Sequence, residues 1–283
     1  MLHVLTVAVG AYAVVIAGLY LFQRHLLYHP SASQPDRAHA GVPDMTAVAL
    51  TTDDGLTLVS WYAAAHDGAP TLVYFHGNAG HIGHRGFKVR PYLDAGWGVM
   101  LVGYRGYGGN PGAPSEAGLY ADARAALAFL DVQGVPAGRR LLYGESLGTG
   151  IAVRMAAEAA GVRTAAVGAV ILEAPYTAIS DVAAEHYPFV PARRMIRDRF
   201  DAASRIDAIG APLLVVHGER DHVIPIHFGK TLFAAAAEPK LAHWIETAGH
   251  NDLHDHGLTQ RVMAFVAGLV AIPPAVPRAL PKK

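Results

Sequence analysis

Gly144-Glu145-Ser146-Leu147-Gly148 sets a serine two residues from a glycine on either side. The apolar run Leu141-Leu142-Tyr143 precedes it and an alanine-rich stretch of helical composition follows. That is the strand–turn–helix setting of a nucleophile elbow. A serine at so tight a turn is held in a strained backbone conformation, with its hydroxyl projecting beyond the end of the sheet. Side chains at 144 or 148 would collide with the neighbouring strand and helix, which accounts for both glycines. A serine hydroxyl is a weak nucleophile at neutral pH. It needs a base within hydrogen-bond reach, an acid to orient that base, and donors for the oxyanion that forms when it attacks a carbonyl.

Candidates for each role lie at the ends of apolar runs. Asp221, in His217-Gly218-Glu219-Arg220-Asp221, comes just after Leu213-Leu214-Val215-Val216. Its carboxylate should therefore emerge at the same sheet edge as Ser146. Glu219 and Glu173 are rivals, and position favours Asp221. The chain has 16 histidines. His250, in Gly249-His250-Asn251-Asp252, follows the last strand and a glycine, where a base must sit. His254 and His256 are expected inside the following helix, and His243 at the wrong end of the strand. The order serine, acid, histidine is one that this chemistry uses. The N–H of Leu147, at the start of a helix, is the first oxyanion donor, because free N–H groups and the helix dipole favour negative charge there. The second is expected from Asn78 in His76-Gly77-Asn78-Ala79-Gly80. Neither glycine-rich segment carries the lysine of a phosphate-binding loop. His76, His81 and His84 do not match a metal-binding pattern, so no metal and no cofactor are expected. The glycine-rich Gly103–Gly112 loop is expected to be structural, packing Tyr104 or Arg105 beneath the oxyanion loop.

These residues require a scaffold that brings strand ends together. Val48–Thr52 and Leu56–Tyr62 flank Asp53-Asp54-Gly55, a hairpin signal. Thr71–Phe75, Gly98–Val102, Arg140–Tyr143, Val170–Glu173, Leu213–Val216 and Trp244–Glu246 read as further strands. Helical patterns cover Ser115–Leu130, Leu147–Ala160, Ile226–Ala237 and Asp252–Val270. Strands apolar on both faces that alternate with helices predict a parallel sheet covered on both sides. Residues 44–271 form this domain. Tyr176–Ile209 breaks the alternation, and it is either a lid over the sheet edge or a crossover helix with solvated arginines. Residues 29–43 read as a linker and 272–283 as a proline-rich tail.

The 283 residues are 52% hydrophobic and 16% charged, with a net charge of zero. No basic stripe suggests nucleic-acid binding. With no cysteine, the chain has no disulfide, thiolate metal site, cysteine nucleophile or S-acylation. No oligomeric state follows from these features. Leu2–Phe22 contains no Asp, Glu, Lys or Arg. As a helix rising about 1.5 Å per residue, it spans roughly the 30 Å hydrocarbon core of a bilayer. A cleaved leader wants a basic start and small residues at its end. Met1-Leu2-His3 and Tyr20-Leu21-Phe22 supply neither, so residues 1–28 read as an uncleaved single-pass anchor. Arg24 and Arg37 beyond it favour a cytoplasmic catalytic domain.

Taken together, Leu19–Arg24, His76–Gly80, Tyr104–Gly108, Gly144–Gly148, Gly218–Asp221 and Gly249–Asp252 resemble the membrane-anchored Bem46-like group of α/β-hydrolases. The resemblance implies an α/β-hydrolase fold: about eight mostly parallel strands, helices on both faces, a short helical lid and an N-terminal transmembrane helix. In that family the residues matching Ser146, Asp221 and His250 form the triad. Relatives act on lysophospholipids, acylglycerols or acylated proteins, and some resemble serine aminopeptidases. The expectation is a serine hydrolase of carboxylic (thio)esters with a small-molecule or lipid acyl substrate. The alternatives are a peptidase or amidase of the same fold, or a non-catalytic membrane-tethered interaction domain.

Overall fold

The computed structural model describes residues 1–66, 68–162 and 166–270, so the tail 272–283 lies outside the described residues. The first elements are α1 (Leu2–Leu27), β1 (His29–Pro30), β2 (Thr46–Thr51), β3 (Thr57–Ala63), β4 (Thr71–Phe75) and β5 (Ala79–Gly80). Next come α2 (Gly86–Asp94), β6 (Gly98–Leu101), α3 (Glu116–Val132), β7 (Arg140–Glu145), α4 (Leu147–Ala160) and β8 (Ala169–Glu173). The chain ends with α5 (Ile179–His186), α6 (Ala192–Met195), β9 (Leu213–Gly218), α7 (Ile226–Ala235), β10 (Lys240–Ile245) and α8 (Leu258–Val270).

Eight strands form one sheet in the order β10-β9-β8-β7-β4-β6-β3-β2. β10, β9, β8, β7, β4 and β6 are mutually parallel, and β3 runs antiparallel to both β6 and β2. The period-2 alternation of side chains assigns each strand to two apolar layers. On β4, Val73 and Phe75 join α3, α4 and α7 on one face, while Leu72 and Tyr74 join α2 and α8 on the other. β9 divides the same way, Leu213 and Val215 against Leu214 and Val216. Ser115 caps α3, its side chain accepting from the Gly118 N–H at 3.1 Å.

Several expectations shift. α2 was not among the predicted helices, because Pro91 interrupts its pattern. The last strand begins at Lys240, which puts His243 in mid-strand. His254 and His256 sit in a 3₁₀ turn before α8, not within it. The stretch 29–43, expected as a linker, is tied to the domain. β1 pairs with β5, the Gly108 N–H donates to the Ser31 carbonyl at 2.8 Å, and Val42 is fully buried. Those partners are distant in sequence, so no local pattern marks them.

α1 is long and apolar enough to cross a membrane, and none of its residues is buried. It does not stand alone, however. The Tyr12 hydroxyl donates to the Phe189 carbonyl at 2.7 Å. Arg24 makes a two-pronged ion pair with Asp198 at 2.7 and 3.0 Å. The segment carrying α5 and α6 thus lies along α1.

Candidate active site

Backbone geometry exposes Ser146. It has φ 50° and ψ −115°, between the last residue of β7 and the first of α4. A positive φ is strained for any residue with a Cβ. The flanking glycines permit the turn by close approach. A Cβ on Gly148 would come within 2.0 Å of the Phe75 carbonyl oxygen, and one on Gly144 within 2.5 Å of the Thr149 Cα. Gly148 thereby packs the elbow onto the end of β4, where the His76–Gly80 loop begins.

The structure brings Ser146, His250 and Asp221 together from three loops at the sheet edge. The Asp221 carboxylate only accepts, so His250 Nδ1–H donates to its Oδ2 at 2.7 Å. That leaves His250 Nε2 as acceptor for the Ser146 hydroxyl at 3.0 Å. The His250 side chain is 11% exposed and that of Asp221 is fully buried. Asp221 Oδ1 also accepts the N–H groups of Val223 and Ile224, both at 2.8 Å. Burial opposes ionisation of Asp221, but hydrogen bonds from His217 and His250 outweigh it and hold the carboxyl well below the usual carboxylate range.

His217 opens the segment that carries Asp221. It is fully buried and donates from Nε2 to Asp221 Oδ2 at 3.1 Å and to the Ile224 carbonyl at 2.9 Å. It shares the Oδ2 acceptor with His250 and helps to hold the acid in place. Its position four residues before Asp221 on β9 was the available signal. The rival acids face elsewhere: Glu219 lies 3.8 Å from Lys230, and Glu173 bonds Lys88 and Tyr143. Among the rival histidines, His243 sits 3.3 Å from Arg261 and His254 lies beside Glu173.

Among the described residues, neither the Leu147 nor the Asn78 N–H is bonded to another protein group. The Asn78 loop is braced from beneath, as expected for Tyr104. The Tyr104 hydroxyl donates to the His76 carbonyl at 3.2 Å, and that of Tyr107 to the Asn78 carbonyl at 2.8 Å. Arg105 does not share this task, because it pairs with Asp54 and Asp122. The loop is also braced from α1. The last carbonyls of a helix lack intrahelical partners. That of Leu27 accepts from the Asn78 side-chain amide at 2.9 Å, and the His29 N–H donates to the Asn78 carbonyl at 2.9 Å.

Under the elbow lies a buried charge cluster. Lys88 bonds Glu173 at 2.9 Å and lies 3.4 Å from Glu145, and Arg85 bonds both Glu145 oxygens at 3.0 and 3.1 Å. Two cations face two carboxylates, so the cluster is neutral. The Lys88 ammonium and Arg85 guanidinium outweigh burial and hold Glu145 well below the usual carboxylate range. The rings of Tyr74 and Tyr143 stack 4.6 Å apart, and their hydroxyls donate to Glu145 and Glu173 respectively. Removing one member of such a set leaves a buried charge unpaired, at a typical cost of about 3–5 kcal/mol. The cluster fixes β7, β8 and α2 relative to the serine.

His76 yields a pH prediction. Complete burial, with Arg85 nearby, pushes its ring down from 6.5 to about 3. It stacks on Tyr104 with centroids 4.1 Å apart. Between those two pH values the unfolded chain binds a proton that the folded chain does not, so stability rises with pH. His76 therefore makes the native state lose up to about 5 kcal/mol as pH falls from 6.5 to 3. His76→Phe, which keeps the stacking, should flatten that slope in urea unfolding measured across the window. An unchanged slope would contradict the assignment.

The fold and site define the class. The family model for the alpha/beta hydrolase fold matches residues 70–205. The esterase Pf2001 of Pyrococcus furiosus superposes with a TM-score of 0.66 at 16% identity, over 86% of this chain and 98% of that one. An α/β hydrolase of Vibrio vulnificus superposes with a TM-score of 0.67 at 21% identity, over 80% and 81%. The chain belongs to the α/β-hydrolases. It is 39% identical over 251 residues to protein Rv2307c of Mycobacterium tuberculosis, spanning 86% of this chain and 87% of that protein. It is 30% identical over 248 residues to protein bem46 of Schizosaccharomyces pombe, spanning 83% and 82%. Within the α/β-hydrolases it is a member of the Bem46-like group.

Proposed function

We propose that this protein is a membrane-tethered serine hydrolase that cleaves carboxylic (thio)esters of lipid-like or acylated substrates through an acyl-enzyme. The observation that carries this reading is the unbroken relay from Asp221 through His250 to Ser146, at 2.7 and 3.0 Å, beside two free N–H groups. Ser146 Oγ attacks the acyl carbonyl while His250 Nε2 takes its proton. Asp221 holds the imidazole in the tautomer that leaves Nε2 free, and it stabilises the imidazolium that forms. The N–H groups of Leu147 and Asn78 hold the oxyanion, where losing one such donor typically costs about 3 kcal/mol. The imidazolium gives its proton to the leaving group. Water, activated by the same histidine, then releases the acid.

α1 is the proposed anchor, with the tether leaving the membrane at Arg24 and His25. Substrates that partition into the bilayer would meet the site there. The peptidase alternative wants an acidic or basic subsite for a peptide terminus, and two of the arginines near α6 are already engaged. Arg193 pairs with Asp181 at 2.9 Å, and Arg197 lies 4.3 Å over the Tyr20 ring. The test is a panel of acyl esters, thioesters and peptide amides, each assayed with and without a fluorophosphonate. Ester or thioester turnover that the fluorophosphonate abolishes is the expected result. Turnover of peptides alone, or turnover that survives the reagent, would overturn the proposal.

A further inference from the structure

A cavity of about 330 Å³ lies between α1 and the segment that carries α5 and α6. Leu19, Leu26 and Leu27 wall it on one side, and Ile179, Ala183 and Met195 on the other. Its polar neighbours satisfy one another. Arg24 is paired with Asp198, and the Gln23 side chain accepts the Arg197 N–H at 2.8 Å and donates to the Met195 carbonyl at 3.4 Å. What faces the space is mostly apolar, which suits an occupant with few hydrogen-bonding groups.

Both walls are tied by hydrogen bonds to the residues of the proposed oxyanion site. On the α1 side, the Leu27 carbonyl accepts from the Asn78 side chain. On the opposite side, Ile179 lies three residues after Tyr176, whose hydroxyl donates to the Leu147 carbonyl at 2.9 Å. The far end is flanked by Tyr187 and Val190, next to the Tyr12–Phe189 hydrogen bond. From Leu27 to Tyr12 the helix rises roughly 22 Å at about 1.5 Å per residue. Tyr12 lies within the uncharged stretch Leu2–Phe22. If α1 crosses the bilayer, the far end of the cavity lies at the depth of the hydrocarbon. Tyr187 and Phe189, 56% and 63% exposed, are then the parts of the segment that dip into it.

We propose that this cavity is the acyl-chain site of the enzyme. Its occupant is the fatty acyl chain of a membrane lipid ester, entering sideways from the bilayer between α1 and the α5–α6 segment. The proposal rests on the serine-hydrolase reading and adds where the chain lies. The ester carbonyl reaches Ser146 at the Leu27 end while the chain extends back toward Tyr187. Each methylene that had to cross water on the way would cost roughly fourfold in equilibrium. A lateral path avoids that cost, and it makes the anchor part of the binding site as well as a tether.

The test uses the full chain in phosphatidylcholine vesicles and two fluorophosphonates, one with a short alkyl chain and one with a hexadecyl chain. Ala183→Trp and, independently, Met195→Trp fill the cavity from two elements of the same wall. The readout is the ratio of long-chain to short-chain labelling rates, which cancels any general loss of folded enzyme. Displacing about two methylenes from the cavity lowers this ratio by at least roughly tenfold in both variants. A ratio equal to wild type in both, including a parallel fall in the two rates, would overturn the acyl-chain site and leave the hydrolase reading standing. Failure of both reagents to label wild type would overturn the hydrolase reading and this proposal with it, whereas failure of the hexadecyl reagent alone would overturn only the acyl-chain site.

Discussion

Ser146→Ala is expected to lower kcat for ester hydrolysis by about a millionfold, since residues that act as one catalytic unit fail together when the nucleophile is lost. The residue adopts φ 50°, a strained value that alanine shares, so the turn itself is retained. Among the described residues the hydroxyl's one side-chain partner is His250, at 3.0 Å. Losing it affects stability by only about 1 kcal/mol. Residual turnover should come from the free N–H groups of Leu147 and Asn78 alone. Steady-state hydrolysis paired with a thermal melt checks both halves of the prediction. A folded variant that retained more than about a thousandth of the wild-type rate would mean another nucleophile is at work.

Asp221→Asn should cost about four orders of magnitude in kcat, for a reason that the hydrogen bonds make specific. Asp221 accepts four donors: His217 and His250 at Oδ2, and the Val223 and Ile224 N–H groups at Oδ1. An amide offers one oxygen acceptor and two N–H donors. With its oxygen toward the backbone N–H groups, its NH₂ faces His250 Nδ1. The imidazole must then carry its proton on Nε2, where it cannot take one from Ser146. With the amide reversed, the NH₂ opposes the N–H groups of Val223 and Ile224, and the loop loosens. The first orientation removes the base outright, and the second keeps the tautomer but loosens the loop that positions it, while the core stays intact. The check is kcat for Asp221→Asn near neutral pH, with the fold monitored by circular dichroism. A loss smaller than about tenfold would show that Asp221 does not set the histidine's tautomer.

Much of the site was legible because its constraints are local. The glycines at 144 and 148 report a turn that admits no Cβ, and the contacts a Cβ would make there are backbone contacts. Asp221 and His250 each follow an apolar strand, and a parallel sheet gathers such ends at one edge. Strands apolar on both faces likewise pointed to a sheet covered on both sides. What stayed hidden depends on partners far along the chain. The Leu27–Asn78 bond spans 51 residues and the Arg24–Asp198 pair 174. No periodicity in 29–43 reveals that Ser31 bonds Gly108. α2 carries a proline that local propensity counts against helix, and Lys88 on α2 becomes intelligible only beside Glu145 and Glu173. The cavity beside α1 is hidden for the same reason, since its walls come from opposite parts of the chain.

The central claim is that Ser146 becomes covalently acylated during turnover. Mass spectrometry of the full-length protein after fluorophosphonate treatment, followed by peptide mapping, tests it most directly. The account predicts one adduct per chain, on the peptide that contains Ser146, absent from Ser146→Ala and slowed in His250→Ala. An adduct on a different residue, or unmodified protein from a preparation that hydrolyses esters, would contradict it.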